Sequence, residues 1–136
     1  MGALVRGHIE YRTDGEWHHD HVIWDLLIGG RGHAHLFGIE NDYPDIPHEL
    51  ELAPSRGYPP EMTATTRVDL ELWYKSVSEE RVYDGDETSL TAADLDRRDR
   101  SLIGPQWEGF LTYLADLGTQ YGPDNARAIV LFIAVG

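Results

Sequence analysis

The end of the chain, residues 105–136, reads PQWEGFLTYLADLGTQYGPDNARAIVLFIAVG, and this stretch decides the fold. Large apolar side chains recur in its first half at spacings of three and four residues, the pattern of a helix with one apolar stripe. The stripe consists of Trp107, Phe110, Leu111, Leu114, Leu117 and Tyr121. Pro105 suits a first helical turn, Gly122 suits a left-handed C-cap, and Pro123 prevents the helix from continuing. The sequence therefore predicts an amphipathic helix over 105–121.

The segment that follows, residues 128–135, is apolar throughout and has the length of a strand. An uninterrupted apolar strand is typical of one that is covered on both faces. Burying four of the large side chains of the helix would stabilise the domain by about 6–12 kcal/mol before chain entropy is subtracted. We therefore predict an α+β domain, with a mixed or antiparallel sheet packed by this C-terminal helix and completed by a buried final strand.

The N-terminal half predicts further strands. Residues 4–12 are compatible with a first strand, the sequence Thr13-Asp14-Gly15 with a turn, and residues 21–28 with a second strand. Residues 67–76 alternate between apolar and polar side chains, which predicts a half-buried strand. Residues 82–83 would continue it as a hairpin partner.

The remaining segments predict a short helix and connections. Thr91, with Asp94 three residues later, approximates a capping box at the start of a helix over 92–100. Residues 33–39 predict a turn or a short helix. Residues 41–60 contain five prolines and predict a long ordered loop.

Composition limits the possible functions. A chain of 136 residues predicts one domain over 1–136, and the absence of cysteine excludes disulfides, thiolate metal sites and cysteine nucleophiles. Twenty-four acidic residues against eleven basic ones give a net charge of −13, which disfavours broad nucleic-acid binding because that mode needs a cationic face. The acidity is typical of source composition or of adaptation to salt. No apolar run has the length of a membrane span, so a cytoplasmic location is expected.

Two loops carry candidate ligand-binding arginines. Glycines surround Arg31 in the segment Gly29-Gly30-Arg31-Gly32, where backbone N–H groups can approach an anion and the guanidinium can bind it. Arg56 and Tyr58 lie on a proline-rich loop and can hold a phosphate and stack on a nucleotide base, with Trp17 as a second stacking residue. The alternatives are a tight turn around Arg31 and an ion pair between Arg56 and a nearby carboxylate.

The histidines offer a candidate metal site. His33 and His35 are two residues apart, so on a strand they would share a face and can share a metal ion. Asp20, Asp25 or Glu40 would complete the ligand set. The alternative is that these histidines are exposed to solvent near turns.

Several segments, in order along nearly the whole chain, match a family pattern. They are Met1-Gly2 with His8 and Glu10, Arg31 with Leu36-Phe37, Pro54-Ser55-Arg56-Gly57-Tyr58-Pro59, Ser89-Leu90-Thr91 with Asp94-Leu95, and Gly122-Pro123-Asp124-Asn125-Ala126-Arg127. In these segments the chain resembles a family of small, poorly characterised proteins of tailed phages and bacteria. Those proteins open with Met-Gly-Cys-Asp-Ile-His and carry a Pro-Arg-Gly-Leu-Pro loop and a His-Ser-His-Ser segment.

The departures from that family bear on function. Leu4 and Arg6 stand where the family has Asp and His in its opening motif, and residues 84–89 contain no histidine where the family has His-Ser-His-Ser. The missing groups are those suited to a metal or to acid–base catalysis. The resemblance therefore implies a phage or prophage setting and not an activity.

These observations favour a non-catalytic accessory protein of phage type. It would bind a small anionic ligand, for example a nucleotide-derived one, or a host protein, and it would need no cofactor. One alternative is a hydrolase dependent on a divalent metal held by His33 and His35. The other is a structural or assembly protein, for which a homo-oligomer is expected.

Overall fold

The computed structural model describes residues 2–23, 37, 42, 44–46, 48, 51, 53, 56–77, 85–95 and 108–135. Its strands are β1 (Gly2–Thr13), β2 (Glu16–Ile23), β3 (Gly85–Thr91) and β4 (Ala126–Val135). Its helices are α1 (Ala64–Val77), α2 (Ala92–Leu95) and α3 (Glu108–Tyr121), and a 3-10 turn spans Pro123–Asn125. The strands form one antiparallel sheet in the order β2-β1-β4-β3, so the predicted α+β fold is confirmed.

Strand β4 lies between β1 and β3 in the sheet and contributes core side chains on both of its faces. On one face Ala128, Val130 and Phe132 pack with the buried side of α3. On the other face Ile129, Leu131 and Ile133 pack with Leu70 of α1. The predicted final strand, covered on both faces, is thus confirmed, and it begins two residues earlier than expected.

The hairpin of β1 and β2 follows from local sequence. Asp14 and Gly15 both have positive φ, 53° and 78°, as in the two-residue turn that matches the twist of paired strands. Because this turn is so short, β2 begins at Glu16, earlier than the predicted 21–28, of which residues 24–28 lie outside the described residues. A bulge accommodates Asp20, since Ile9 pairs with His21 and Glu10 pairs with His19.

The strand predicted over 67–76 is wrong, because these residues belong to helix α1. Thr63 caps this helix, its hydroxyl accepting the Thr66 N–H at 3.3 Å. Residues 70, 73, 74 and 77 recur at helical spacings, and their side chains pack towards the sheet. Val68 and Leu72, which the strand pattern placed inside with Leu70, point outwards and are exposed.

The helix predicted over 105–121 is confirmed where the chain is described, from Glu108 to Tyr121. Gly122 ends it with φ 108°, and its N–H donates to the Gly118 carbonyl at 2.9 Å. Of the helix predicted over 92–100, the structure describes residues 92–95, which form α2. There the Asp94 carboxylate accepts the Thr91 N–H at 2.8 Å, which is the expected capping contact. Strand β3, paired with β4, was not predicted.

Other expectations fall largely outside the described residues. These are the hairpin partner at 82–83, most of the turn or helix over 33–39, and much of the loop over 41–60. Of the 33–39 segment only Phe37 is described; it is buried, with its ring 5.4 Å from that of Phe132. Within the described part of the chain, no helix is long and apolar enough to cross a membrane.

The packing of α3 on α2 depends on a glycine. A Cβ at Gly118 would lie well inside van der Waals contact of the Ala92 side chain. We expect Gly118→Ala to lower the free energy of unfolding by about 1–3 kcal/mol, because overpacking outweighs the gain in helix propensity. Urea unfolding measures the change.

The same helix supplies the control for this substitution. A Cβ at Gly109 would meet nothing within 4 Å, so Gly109→Ala is expected to leave stability unchanged or to raise it by up to about 1 kcal/mol. Adding Ala92→Gly to Gly118→Ala should restore part of the loss. Equal effects of the two glycine substitutions would contradict this account of the packing.

Candidate functional site

A layer of polar side chains lies between β1 and helix α1, where an apolar interface would be ordinary. Alternate residues of a strand share a face, and in β1 these residues are Arg6, His8 and Glu10. Their side chains meet Thr66 and Asp69 of α1. We call the full set the polar layer: Arg6, His8, Glu10, His19, Thr63, Thr66, Asp69 and Arg127.

The carboxylate of Glu10 is the centre of one half of the polar layer. It is fully buried, and its Oε1 accepts hydrogen bonds from Arg127 Nε at 3.0 Å and Nη2 at 2.7 Å. Its Oε2 accepts from the Thr63 N–H at 3.1 Å and from the hydroxyls of Thr63 and Thr66, both at 2.6 Å. Burial opposes ionisation, yet the hydrogen bonds from Thr63, Thr66 and Arg127 outweigh it and hold the pKa of Glu10 below its ordinary value. Glu10 is therefore a buried carboxylate that stays ionised.

A hydrogen-bonded chain of three side chains forms the other half. Arg6 donates to both carboxylate oxygens of Asp69, at 2.7 and 2.8 Å. His8 Nε2 lies 2.6 Å from Asp69 Oδ2, and His8 Nδ1 lies 2.9 Å from His19 Nε2. His8 is buried, whereas His19 is half-buried. The order Asp69–His8–His19 thus runs from the helix to the outer strand of the hairpin.

The protonation of this chain follows from its surroundings. The hydrogen bond from Arg6 holds the pKa of Asp69 below its ordinary value, so Asp69 is ionised and accepts the proton of His8 Nε2. Burial lowers the pKa of His8 despite the neighbouring carboxylate, so the ring is neutral and its Nδ1 accepts from His19 Nε2. Each hydrogen bond of the chain is therefore donated towards Asp69, from His19 to His8 and from His8 to Asp69.

Trp17, expected to stack on a ligand, instead contacts two arginines of the chain. The Arg127 guanidinium lies 3.6 Å from the Trp17 ring centroid, and that of Arg12 lies 5.0 Å from it. Arg12 Nε donates to Asn125 Oδ1 at 2.8 Å. The ring also lines a shallow cavity of about 340 Å³ with Glu61 and Thr63.

Helix α1 borders a larger pocket, of about 430 Å³, on the side away from His19. Residues at helical spacings of three and four line it from α1, while Glu87 of β3 and Leu131 of β4, which pair across the sheet, form its floor. We call this the α1 pocket. Its described lining is Tyr58, Met62, Arg67, Leu70, Glu71, Tyr74, Glu87 and Leu131.

The loop that carries Arg56 and Tyr58 is fixed to this pocket. The Arg56 guanidinium pairs with the buried Asp94 carboxylate at 3.2 and 3.3 Å, so the structure shows the ion pair that was the alternative reading of Arg56. Gly57 has φ 77°, and its N–H donates to the Glu87 carbonyl at 3.1 Å. These contacts place the half-buried Tyr58 in the wall of the α1 pocket.

Of the other predicted site residues, Arg31, His33 and His35 are outside the described residues. Asp20, a possible metal ligand, accepts hydrogen bonds from the Tyr113 hydroxyl and His21 Nδ1, both at 2.5 Å. No cluster of three or more potential metal ligands occurs among the residues that the structure places.

The polar layer has no distinct signal in the sequence. Polar residues at positions 6, 8, 10 and 12 alternate with apolar ones along the first predicted strand, which is the ordinary pattern of a strand with its polar face towards solvent. In the structure α1 covers that face, with Thr66 and Asp69 as partners, but residues 67–76 were predicted as a strand.

Comparisons with known proteins add no functional information. No protein-family model matches the chain, and neither do the curated proteins nor the solved structures. The function must therefore be argued from the chemistry of the polar layer and the α1 pocket.

The buried ion pair of Glu10 and Arg127 predicts a large effect of a small substitution. Glu10→Gln removes the buried carboxylate that pairs with Arg127, so we expect a loss of about 3–5 kcal/mol in the free energy of unfolding. Denaturant unfolding measures it. Glu16→Gln, an exposed position on the same hairpin, is the control and should change stability by no more than about 0.5 kcal/mol. A similar small change for Glu10→Gln would contradict the role assigned to the pair.

The histidine chain predicts a dependence of stability on pH. The pKa of His8 is lowered in the folded state, so below its ordinary value of 6.5 the unfolded chain binds more protons. The stability that the neutral His8 ring contributes is fully present above pH 6.5. It is lost as the pH falls through the lowered pKa of His8. We expect His8→Gln to flatten the slope of unfolding free energy against pH just below 6.5.

The quantity to compare is the slope of unfolding free energy against pH, and not the unfolding free energy itself, because His8→Gln also disturbs packing. His18→Gln is the matched control, since His18 lies outside the polar layer and stacks on Tyr11. An unchanged slope in His8→Gln would show that His8 does not control this dependence.

Proposed function

We propose that this protein is a non-catalytic binding domain for a small ligand with an apolar body, held in the α1 pocket. The observation that carries the proposal is the pocket itself, where Tyr58, Tyr74 and Leu131 border one concave space of about 430 Å³. Apolar and aromatic walls with a few polar groups are typical of small-molecule sites, and the volume lies in their usual range of about 300–1,000 Å³.

Contacts within the protein hold both the loop that carries Tyr58 and the start of α1 in place, which favours a preformed site. The ion pair of Arg56 with Asp94 and the hydrogen bond from Gly57 to Glu87 anchor the loop that carries Tyr58. Glu10 anchors the first turn of α1 through Thr63 and Thr66. Little chain entropy is then lost on binding, because the wall residues are already held.

The functions expected from the sequence stay predictions. An anionic ligand at Arg31 concerns residues that the structure does not describe, and Arg56 is engaged by Asp94. A phage setting, a cytoplasmic location, a metal-dependent hydrolase using His33 and His35, and an assembly protein are likewise untested.

Binding can be tested with 2-phenylethanol, a neutral probe of suitable size, by its effect on the methyl resonances of Leu70 and Leu131. We expect saturable shifts at millimolar concentration in the wild-type protein. Met62→Trp should abolish them, because Met62 is half-buried in the pocket wall and an indole there fills the space.

The control is Val68→Trp, the same new side chain on the exposed outer face of α1. It should bind the probe as the wild type does. Absence of saturable shifts in the wild-type protein, or equal binding by Met62→Trp and Val68→Trp, would refute the proposed pocket.

A further inference from the structure

We infer that His8 and His19 form a binding site for a divalent transition-metal ion such as Zn²⁺, with His8 Nδ1 and His19 Nε2 as its two protein ligands. The site lies in the polar layer and shares no residue with the described lining of the α1 pocket, so it does not depend on the proposed function. It also differs from the pair His33 and His35 that the sequence suggested.

The two ring nitrogens meet between the strands of the hairpin. His19 pairs with Glu10 in the sheet register, so it lies diagonally opposite His8. His8 Nδ1 is 2.9 Å from His19 Nε2, and the two ring planes are inclined at 56°. An ion about 2.0–2.1 Å from each nitrogen fits in place of the proton between them, with a nitrogen–metal–nitrogen angle of about 90°. Imidazole nitrogens suit Zn²⁺, Ni²⁺ and Cu²⁺.

The second nitrogen of His8 has the partner that metal-bound histidines usually have. His8 Nε2 donates to Asp69 Oδ2 at 2.6 Å, and Arg6 in turn donates to both oxygens of Asp69. A carboxylate in this position fixes the tautomer and the ring orientation of a metal ligand and raises its basicity. The lone pair of His8 is thereby directed from Nδ1 towards His19.

The surroundings of the two rings leave this lone pair available. Burial lowers the pKa of His8, so its ring is neutral at pH 7. When an ion binds, His19 Nε2 releases its proton to water and the ring takes up a proton at Nδ1, so His19 also stays neutral. His19 is half-buried, and water therefore reaches the site from its side.

The coordination of the ion is incomplete in the described part of the chain. No third histidine or acidic residue joins His8 and His19 in a cluster there, so the remaining positions of the ion would be filled by water. An ion with open positions can take a further ligand from solution, as catalytic metal sites do and closed structural sites do not. The net charge of −13 raises the concentration of cations near the surface.

A zinc titration of the wild-type protein tests the site directly. The untagged full chain is freed of metal with EDTA, the EDTA is removed, and Zn²⁺ is added at pH 7. Long-range proton–nitrogen NMR spectra then follow both ring nitrogens of each of the seven histidines. We expect the first equivalent of zinc to shift His8 Nδ1 and His19 Nε2 most, while His8 Nε2 keeps its proton.

Variants measured by calorimetric titration assign the ligands. His19→Gln should weaken zinc binding by about tenfold or more, because one of two protein ligands is lost. His18→Gln is the matched control, since His18 is the neighbouring residue of β2 but stacks on Tyr11, and it should bind zinc as the wild type does. Asp69→Asn keeps both ligands but removes the carboxylate behind His8, and it should weaken binding by about tenfold to a hundredfold.

The ring-nitrogen spectra decide the matter even if a variant fails to fold, because they use the wild-type protein. Shifts at His33 and His35 without shifts at His8 and His19 would refute the site, as would the absence of shifts at every histidine. Equal zinc affinities of His18→Gln and His19→Gln would overturn the assignment of His19 as a ligand.

Discussion

The buried carboxylate of Glu10 is the interaction on which the arrangement of this domain depends. It accepts hydrogen bonds from Arg127 of β4, from the backbone of Thr63 and from the hydroxyl of Thr66, so one side chain of β1 joins a neighbouring strand and the start of α1. A buried ionised group must be matched by donors, because the cost of desolvation is several kcal/mol. Thr63 and Thr66, at the start of α1, supply three of those donors, and this holds α1 over the sheet.

Because the first turn of α1 is held in place, the two sides of the helix face different surroundings. Asp69 lies on the side of β2, where it meets Arg6 and His8 in the polar layer. Residues 67, 70, 71 and 74 lie on the side of β3 and border the α1 pocket. The polar layer and the pocket are thus consequences of a single orientation, with the layer holding one side of the helix and the pocket lying along the other.

The two sides also differ in what their charges can do. In the polar layer the charges are paired, buried in Glu10 with Arg127 and half-buried in Asp69 with Arg6, so they specify position more than they add stability. Glu71 and Glu87, in the lining of the α1 pocket, are exposed, so water solvates their charges. Of the residues singled out from the sequence, Tyr58 lies in the pocket wall, whereas Trp17 and Arg56 are occupied by contacts within the chain.

Local patterns were sufficient for the turn at Asp14-Gly15, the helix that ends at Tyr121 and the buried final strand, because a turn, a cap and a periodic stripe are each contained in a few consecutive residues. They were insufficient for α1, since residues 68–75 fit a strand period and a helix period equally, and packing against the sheet chose the helix. The candidate site needed the folded chain for a simpler reason. His8 and Asp69 are 61 positions apart and Glu10 and Arg127 are 117 apart, so sheet register and the anchored helix bring them together. No window of neighbouring residues contains that information.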